Sequence, residues 1–170
     1  MSKVQKGRYC AQLPGGGAVV FLIGMRINQL WRVRRWLPVL IAMPKMIIEL
    51  RKNPSLGMLS APRTYLSGRV ILVVQYWRDF ESLEKYSRDA DLTHLPAWRA
   101  FNRSVRDNGT VGVWHETYRV SVDSYETVYA NMPVFGLAGA SQSVAARTIG
   151  QTAATRMKLR ERDVAPVEPY

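Results

Sequence analysis

The chain contains two histidines, His94 and His115. Histidine is the side chain whose ordinary pKa lies nearest neutrality, and it serves as a proton relay and as a ligand to metals and haem. Neither one belongs to a spaced ligand motif such as His-x-x-x-His: His94 stands in Asp91-Leu-Thr-His-Leu-Pro-Ala-Trp98, and His115 in Trp114-His-Glu-Thr-Tyr118. A structural hydrogen-bonding role weighs as much as an acid/base role for each. If the stretch around His115 is a strand, alternation puts Trp114, Glu116 and Tyr118 on one face and Val113, His115, Thr117 and Arg119 on the other. With the second set turned toward covering helices, His115 and Arg119 would project beneath them, where Trp77 and His94 can converge. Such a pocket would bind an aromatic or anionic substrate and supply an acid or base. The plainer account is that these aromatics are core.

Other catalytic patterns are missing. There is no nucleophile elbow, phosphate loop or dinucleotide fingerprint, because Gly15-Gly-Gly17 precedes a strand instead of joining a strand to a helix. Those glycines read as a flexible turn. Glu81, Glu84, Asp89 and Asp91 read as a solvated helix face and not as a carboxylate pair. The lone Cys10 forbids an internal disulfide and any cysteine-based zinc cluster and argues for a reducing compartment; with neither histidine in a ligand motif, no metal is expected.

The elements that would position these side chains follow from periodicity. Ala18-Val-Val-Phe-Leu-Ile-Gly-Met25 is a continuous apolar run of strand length. A helix is expected over Pro38 to Lys52, with Pro38 in its first turn, Pro44 kinking it and Asn53-Pro54 stopping it. Thr64-Tyr65-Leu66 reads as a second strand and Arg69 to Trp77 as a third. Asp79 then caps a helix carrying Phe80, Leu83 and Tyr86 at helical spacing. A further helical stretch covers Pro96 to Arg106, and after the Asn108-Gly109 turn a fourth strand runs from Val111 to Val120. Strand, helix, strand, strand, helix, strand is the split βαβ order of an α+β, ferredoxin-like fold with an antiparallel sheet. The third strand is largely apolar on both faces, with Val70, Leu72, Val74 and Tyr76 on one and Ile71, Val73, Gln75 and Trp77 on the other. Helices can cover only one of them, so pairing of two sheets into a dimeric α/β barrel is expected. Residues 1–17 are expected to be a flexible segment, 18–137 the domain, and 138–170 a loosely packed tail with weak helical character around Ser141 to Arg162.

Composition bounds the rest. The 170 residues carry 24 Lys and Arg against 13 Asp and Glu, a formal charge of +11. The basic residues are scattered and match no groove-reading motif, so nucleic acid is not an expected partner. The glycine-rich stretch interrupts any signal-peptide apolar region, and Pro38, Pro44, Lys45 and Glu49 interrupt the run from Trp36 to Leu50, so a cytoplasmic protein without a spanning helix is expected. Aromatic and basic residues do interleave in Trp31, Arg32, Arg34, Arg35 and Trp36, as they do in helices that lie on a membrane surface. The plainer reading is a basic start to a helix that covers the pocket.

Four blocks together carry a family resemblance: Arg69-Val-Ile-Leu-Val-Val-Gln-Tyr-Trp-Arg-Asp-Phe-Glu-Ser-Leu-Glu-Lys-Tyr-Ser-Arg88, His94-Leu-Pro-Ala-Trp-Arg-Ala-Phe-Asn102, Gly112-Val-Trp-His-Glu-Thr-Tyr118 and Tyr129-Ala-Asn-Met-Pro133. Over about Ala18 to Leu137 the sequence resembles the fumagillin-biosynthesis-type monooxygenase family. Much of that family is known only as a domain of unknown function, and it falls within the dimeric α/β-barrel superfamily of antibiotic-biosynthesis monooxygenases. The resemblance implies a ferredoxin-like protomer, a homodimer, and a pocket between sheet and helices. It further implies oxidation of a hydrophobic small metabolite, which some members of the superfamily carry out without metal or flavin. Others degrade haem, using a histidine on the second helical region and a tryptophan at the end of the third strand, and His94 and Trp77 stand at approximately those places. The asparagine such members carry on the first strand has no counterpart in Ala18 to Met25, although Asn28 lies just beyond.

The expectation is therefore a cofactor-independent, monooxygenase-like enzyme of secondary metabolism. His94 and His115 are its acid/base candidates, Trp77, Trp98 and Tyr118 line the pocket, and Arg119 orients an anionic oxygen. Haem binding and a non-catalytic, metabolite-binding accessory role are the alternatives.

Overall fold

In chain order the elements are β1 (Val4–Gln12), β2 (Ala18–Ile27), α1 (Val33–Lys52), a 3₁₀ turn (Pro54–Leu56), β3 (Arg63–Ser67), β4 (Val70–Trp77), α2 (Phe80–Arg88), α3 (His94–Val105), β5 (Val111–Val120), β6 (Tyr129–Pro133), α4 (Gly136–Gly139), β7 (Gln142–Ala145), α5 (Ala146–Ile149) and α6 (Ala153–Arg156). The computed structural model describes residues 3–15, 17–105 and 109–158. The chain divides into two units, Val19–Arg119 and a second one made of Met1–Ala18 with Val120–Tyr170.

The first unit is the ferredoxin-like one. Its sheet has the order β3-β4-β2-β5. Thus the second, third, first and fourth strands of the split βαβ pattern lie side by side, with helices on one face. The long central pairing is antiparallel and runs from Val19 opposite Trp77 to Arg26 opposite Val70. Strand β3 pairs antiparallel with the outer edge of β4, Arg63 opposite Val74 and Ser67 opposite Val70.

Alternation along β4 decides which side is core. Val73, Gln75 and Trp77 are buried under helices, whereas Val70, Leu72, Val74 and Tyr76 on the other face are partly exposed. One core cluster joins Val19, Leu50, Trp77, Leu83 and Tyr86, with Phe21 and Leu92 packed against it. A second joins Met25, Ile27 and Val111, backed by Trp36, Val39 and Leu40 of α1, Phe101 of α3, and Val113. On the opposite face Gly24 makes room for Trp114: a Cβ at Gly24 would stand 2.5 Å from the indole nitrogen.

Helix α1 begins five residues earlier than its sequence predicts, and both Pro38 and Pro44 lie inside it. Each removes one main-chain donor from the ladder, yet the inward apolar positions on either side of them hold the helix against the sheet. Helix α2 starts where expected, because the Asp79 carboxylate accepts from the Ser82 N–H at 2.6 Å. Helix α3 starts at His94, two residues before the expected Pro96, which takes a first-turn place.

The second unit differs from expectation. Residues 4–12, expected to be part of a flexible segment, form β1, the centre of a three-stranded sheet of order β6-β1-β7. Tyr9 is fully buried there, its ring stacked on Tyr129 at 5.0 Å and its hydroxyl donating to the Pro133 carbonyl at 2.7 Å. Residues 142–145, placed by the sequence in a loose tail, are strand β7, with Cys10 opposite Val144. The physical reason is that Tyr9, Cys10 and Ala11 need a cover that only residues more than a hundred positions away can provide. Gly17 closes the Pro14–Gly17 turn in the left-handed region, φ +78°, where a Cβ would collide with the Val120 carbonyl oxygen. The expected helical character beyond residue 158, the end of the stretch at Arg106, and Asn108 lie outside the described residues.

Candidate functional site

The covered face of the Val19–Arg119 unit gathers the polar chemistry. Trp77 ends β4 and is fully buried, its indole N–H donating to the Gln75 side-chain oxygen at 2.9 Å. The Tyr86 ring, carried by α2, lies 5.6 Å from the Trp77 ring and 5.9 Å from that of His94. On the other side of the cluster, Phe21 packs against the same core and meets the exposed His115 ring at 5.6 Å. His115 therefore points to the helix side of the sheet, as does Val113, and both histidines border one aromatic cluster through different spacers.

Glu49 organises this region. Its carboxylate accepts from the Tyr86 hydroxyl at 3.0 Å, from the Thr93 hydroxyl at 2.9 Å and from the Thr93 N–H at 3.1 Å. It thereby ties α1 to α2 and to the start of α3. Burial, assisted by the bond to Glu49, pushes the Tyr86 phenol far above its ordinary value, so it stays a donor at every accessible pH. Neither Glu49 nor Thr93 was singled out by sequence reasoning. The available signal was one carboxylate inside an otherwise apolar run.

His94 is half-buried, and its Nδ1 lies 3.0 Å from the Ser87 carbonyl. A carbonyl can only accept, so Nδ1 carries the hydrogen and neutral His94 keeps its lone pair on Nε2. Next to it in the chain, Thr93 and Pro96 form one wall of a cleft whose other wall is Leu37, Pro38, Ile41, Ala42 and Lys45 of α1. The cleft has a volume of about 510 Å³ and a largely apolar lining. It is large enough for a small organic molecule.

The remaining sequence candidates do not join this group. Tyr118 lies on the other face of the sheet, half-exposed, and its hydroxyl donates to Glu116 at 2.6 Å, which raises its pKa. A pocket holding both His115 and Tyr118 is thus ruled out by the two-residue alternation of β5. Arg119 is exposed on β5 and is not part of the cleft wall. Trp98 is partly exposed on α3, stacked on Phe101 at 5.5 Å. For haem, Trp77 and His94 would have to face one open cavity; Trp77 is sealed and Tyr86 contacts both rings, so this pair does not fit that group.

Among the described residues no cluster of His, Cys, Asp and Glu has metal-ligand geometry. A second cavity, of about 270 Å³, lies in the other unit and includes Cys10, Tyr125, Glu126 and Arg156. Its charges are committed to structure: Arg156 pairs with Glu126 at 2.5 Å and donates to the carbonyls of Gly150 and Gln151. Burial raises the Cys10 pKa, which keeps the thiol protonated and unreactive.

An antiparallel sheet with helices on one face, two histidines at the rim of its aromatic core and an apolar cleft between helices define an α+β, ferredoxin-like protein. The chain belongs to the monooxygenase af470-like family, whose model matches residues 18–137. It is similar to monooxygenase af470 of Aspergillus fumigatus, with 29% identity over 151 residues that cover 77% of this chain and 53% of the relative. The chain thus spans about half the length of that curated relative. Among solved structures it is similar in fold to an aldoxime dehydratase crystallised with butyraldoxime, with a TM-score of 0.63 and 19% identity over 78% of this chain and 39% of the other. No helix among the described residues is long and apolar enough to cross a membrane.

Proposed function

We propose that the cleft between α1 and α3 holds a hydrophobic small molecule and that the protein oxidises it with dioxygen, as a monooxygenase working without a bound cofactor. The observation that supports this reading is the apolar cleft walled by Thr93 and Pro96, which flank His94 in the chain, together with the Ser87 bond that leaves the His94 Nε2 uncommitted. In the reaction a base removes a proton from an activated CH₂ group, and the resulting carbanion passes electrons to dioxygen. One oxygen atom is retained at that carbon as a carbonyl, and the other leaves as water with the two hydrogens of the CH₂ group. His94 takes the proton and Lys45 at the cleft wall stabilises the enolate oxygen; His115, across the sealed aromatic cluster, is left out of this step. Lys45 thereby replaces Arg119 in the task the sequence suggested for a cation. An activated CH₂ flanked by aromatic or carbonyl groups is the substrate class such chemistry requires.

The test is oxygen uptake and ¹⁸O₂ incorporation by purified, chelator-treated protein presented with a panel of polycyclic ketones. Labelled product that falls at least a hundredfold in His94→Ala supports the reading. Unlabelled product, or turnover indifferent to His94→Ala, overturns it. Binding of the same compounds without oxygen uptake would make the protein an accessory binder.

A second copy of the chain is the partner this reading assigns to the open face of the sheet, where Val70, Leu72, Val74 and Tyr76 are partly exposed. Sedimentation velocity should show a dimer that Leu72→Asp converts to monomer; a monomeric wild type would remove the assignment.

A further inference from the structure

Helix α1 carries a wider apolar arc than the fold covers. Trp36, Val39, Leu40 and Leu50 turn inward. Val33, Leu37, Ile41 and Ile48 are 38–52% exposed. At 100° per residue these four fall within an arc of about 80°, so they form one continuous stripe along the helix. Just before the helix, Leu30 is exposed and Trp31 is 75% exposed. Trp36, by contrast, faces in and donates its indole N–H to the Leu30 carbonyl.

The borders of this stripe are cationic. Arg32, Arg34 and Arg35 stand at its start, and Arg51 and Lys52 at its end, all exposed. From Arg26 to Lys52 the sequence has seven basic residues and one acidic residue, Glu49, and that carboxylate is turned to Tyr86 and Thr93. An apolar stripe, cationic borders and an exposed tryptophan at one end suit the plane where acyl chains meet anionic headgroups. A second copy suits it poorly, because any two-fold pairing of α1 on α1 sets arginines and lysines against one another. Spanning is excluded by the charges within the helix.

We propose that α1 docks the protein on an anionic bilayer, with Trp31 and the Val33-to-Ile48 stripe entering the interfacial layer and the basic borders meeting the headgroups. Leu37 and Ile41 belong both to the stripe and to the cleft wall, so docking sets the mouth of the cleft on the lipid. The docking does not rest on the oxidation chemistry, and its readout is independent of turnover.

The experiment is co-sedimentation of the full chain with vesicles of phosphatidylcholine alone and of phosphatidylcholine mixed with phosphatidylserine, at low and high salt. Binding should require phosphatidylserine and weaken as salt rises. Arg32→Gln with Arg34→Gln should weaken it about 25-fold, at about fivefold per cation removed near such a surface. Trp31→Ala with Val33→Ser should also weaken it several-fold while leaving the salt dependence in place. Circular dichroism and melting of each variant report the fold, which exposed substitutions leave intact. Three results would overturn the proposal: binding indifferent to phosphatidylserine, no binding at all, or binding that survives the Trp31 and Val33 changes, which would mean adsorption of a basic protein by charge alone. A dimer that Ile48→Asp dissociates while vesicle binding stays unchanged would assign the stripe to a second copy instead.

Discussion

On one face of the four-stranded sheet, Val73, Gln75 and Trp77 lie sealed beneath α1, α2 and α3; on the other, Val70, Leu72, Val74 and Tyr76 of the same strand remain partly exposed. The two faces are similar in side-chain type. What separates them is that helices can dock on one side only of a split βαβ sheet. The sealed face accordingly contains polar groups with assigned partners, Trp77 on Gln75 and Tyr86 on Glu49. The polar pair of the open face, Tyr118 on Glu116, stands in solvent. Equal hydrophobicity therefore does not mean equal energetic weight.

Substitutions on each side separate the two faces. The largest effect is expected from Trp77→Ala, which removes the centre of the first core cluster and strands the Gln75 side chain; about 3–5 kcal/mol should be lost in urea unfolding. Next is Glu49→Ala, which leaves the Tyr86 hydroxyl and both Thr93 donors unpaired at a cost of about 1–3 kcal/mol, whereas Glu49→Gln keeps an acceptor and should recover most of it. A uniform loss in both variants would mean that packing and not hydrogen bonding ties α1 to α2.

Asp79→Ala comes third, at about 1 kcal/mol for a lost N-cap. Its hydrogen bonds from Ser82 and Arg78 lower the Asp79 pKa from 3.8 to about 2. A carboxylate with a depressed folded-state pKa stabilises the fold fully above its unfolded value, and that contribution disappears as pH falls from about 4 toward 2. The gap between wild type and Asp79→Ala in thermal unfolding should therefore narrow across this window. A gap independent of pH would show that the carboxylate is not the cap. Smallest is Tyr118→Phe on the open face, expected to unfold with the wild-type midpoint. A cost approaching that of Trp77→Ala would mean that this face is covered as firmly as the other.

Much of the covered face was legible from residue order. The continuous apolar runs of β2 and β4, the alternation of β5, the Asp79 cap and the spacing of Leu83 and Tyr86 are each signals carried by a few neighbouring residues. The face of His115 was reduced to two alternatives by alternation, and the ring contact with Phe21 selects one. The same alternation takes Tyr118 out of the pocket expected for it, and its bond to Glu116 lies on the opposite side of the sheet. Glu49 was read as an interruption of an apolar run, because its partners Tyr86 and Thr93 lie 37 and 44 residues away.

The order and type of elements in the Val19–Arg119 unit, the apolar character of both sheet faces and the excess of basic over acidic residues along α1 all follow from residue order. Those are properties of short windows, set by backbone period, capping and charge. Residue order does not show that residues 4–12 are a central strand held between partners from residues 129–133 and 142–145, that Glu49 gathers three donors, or that part of the apolar arc of α1 stays uncovered. Each of these is a choice among distant partners. Such choices turn on which surfaces can be buried together after long loops close, and no local pattern records them.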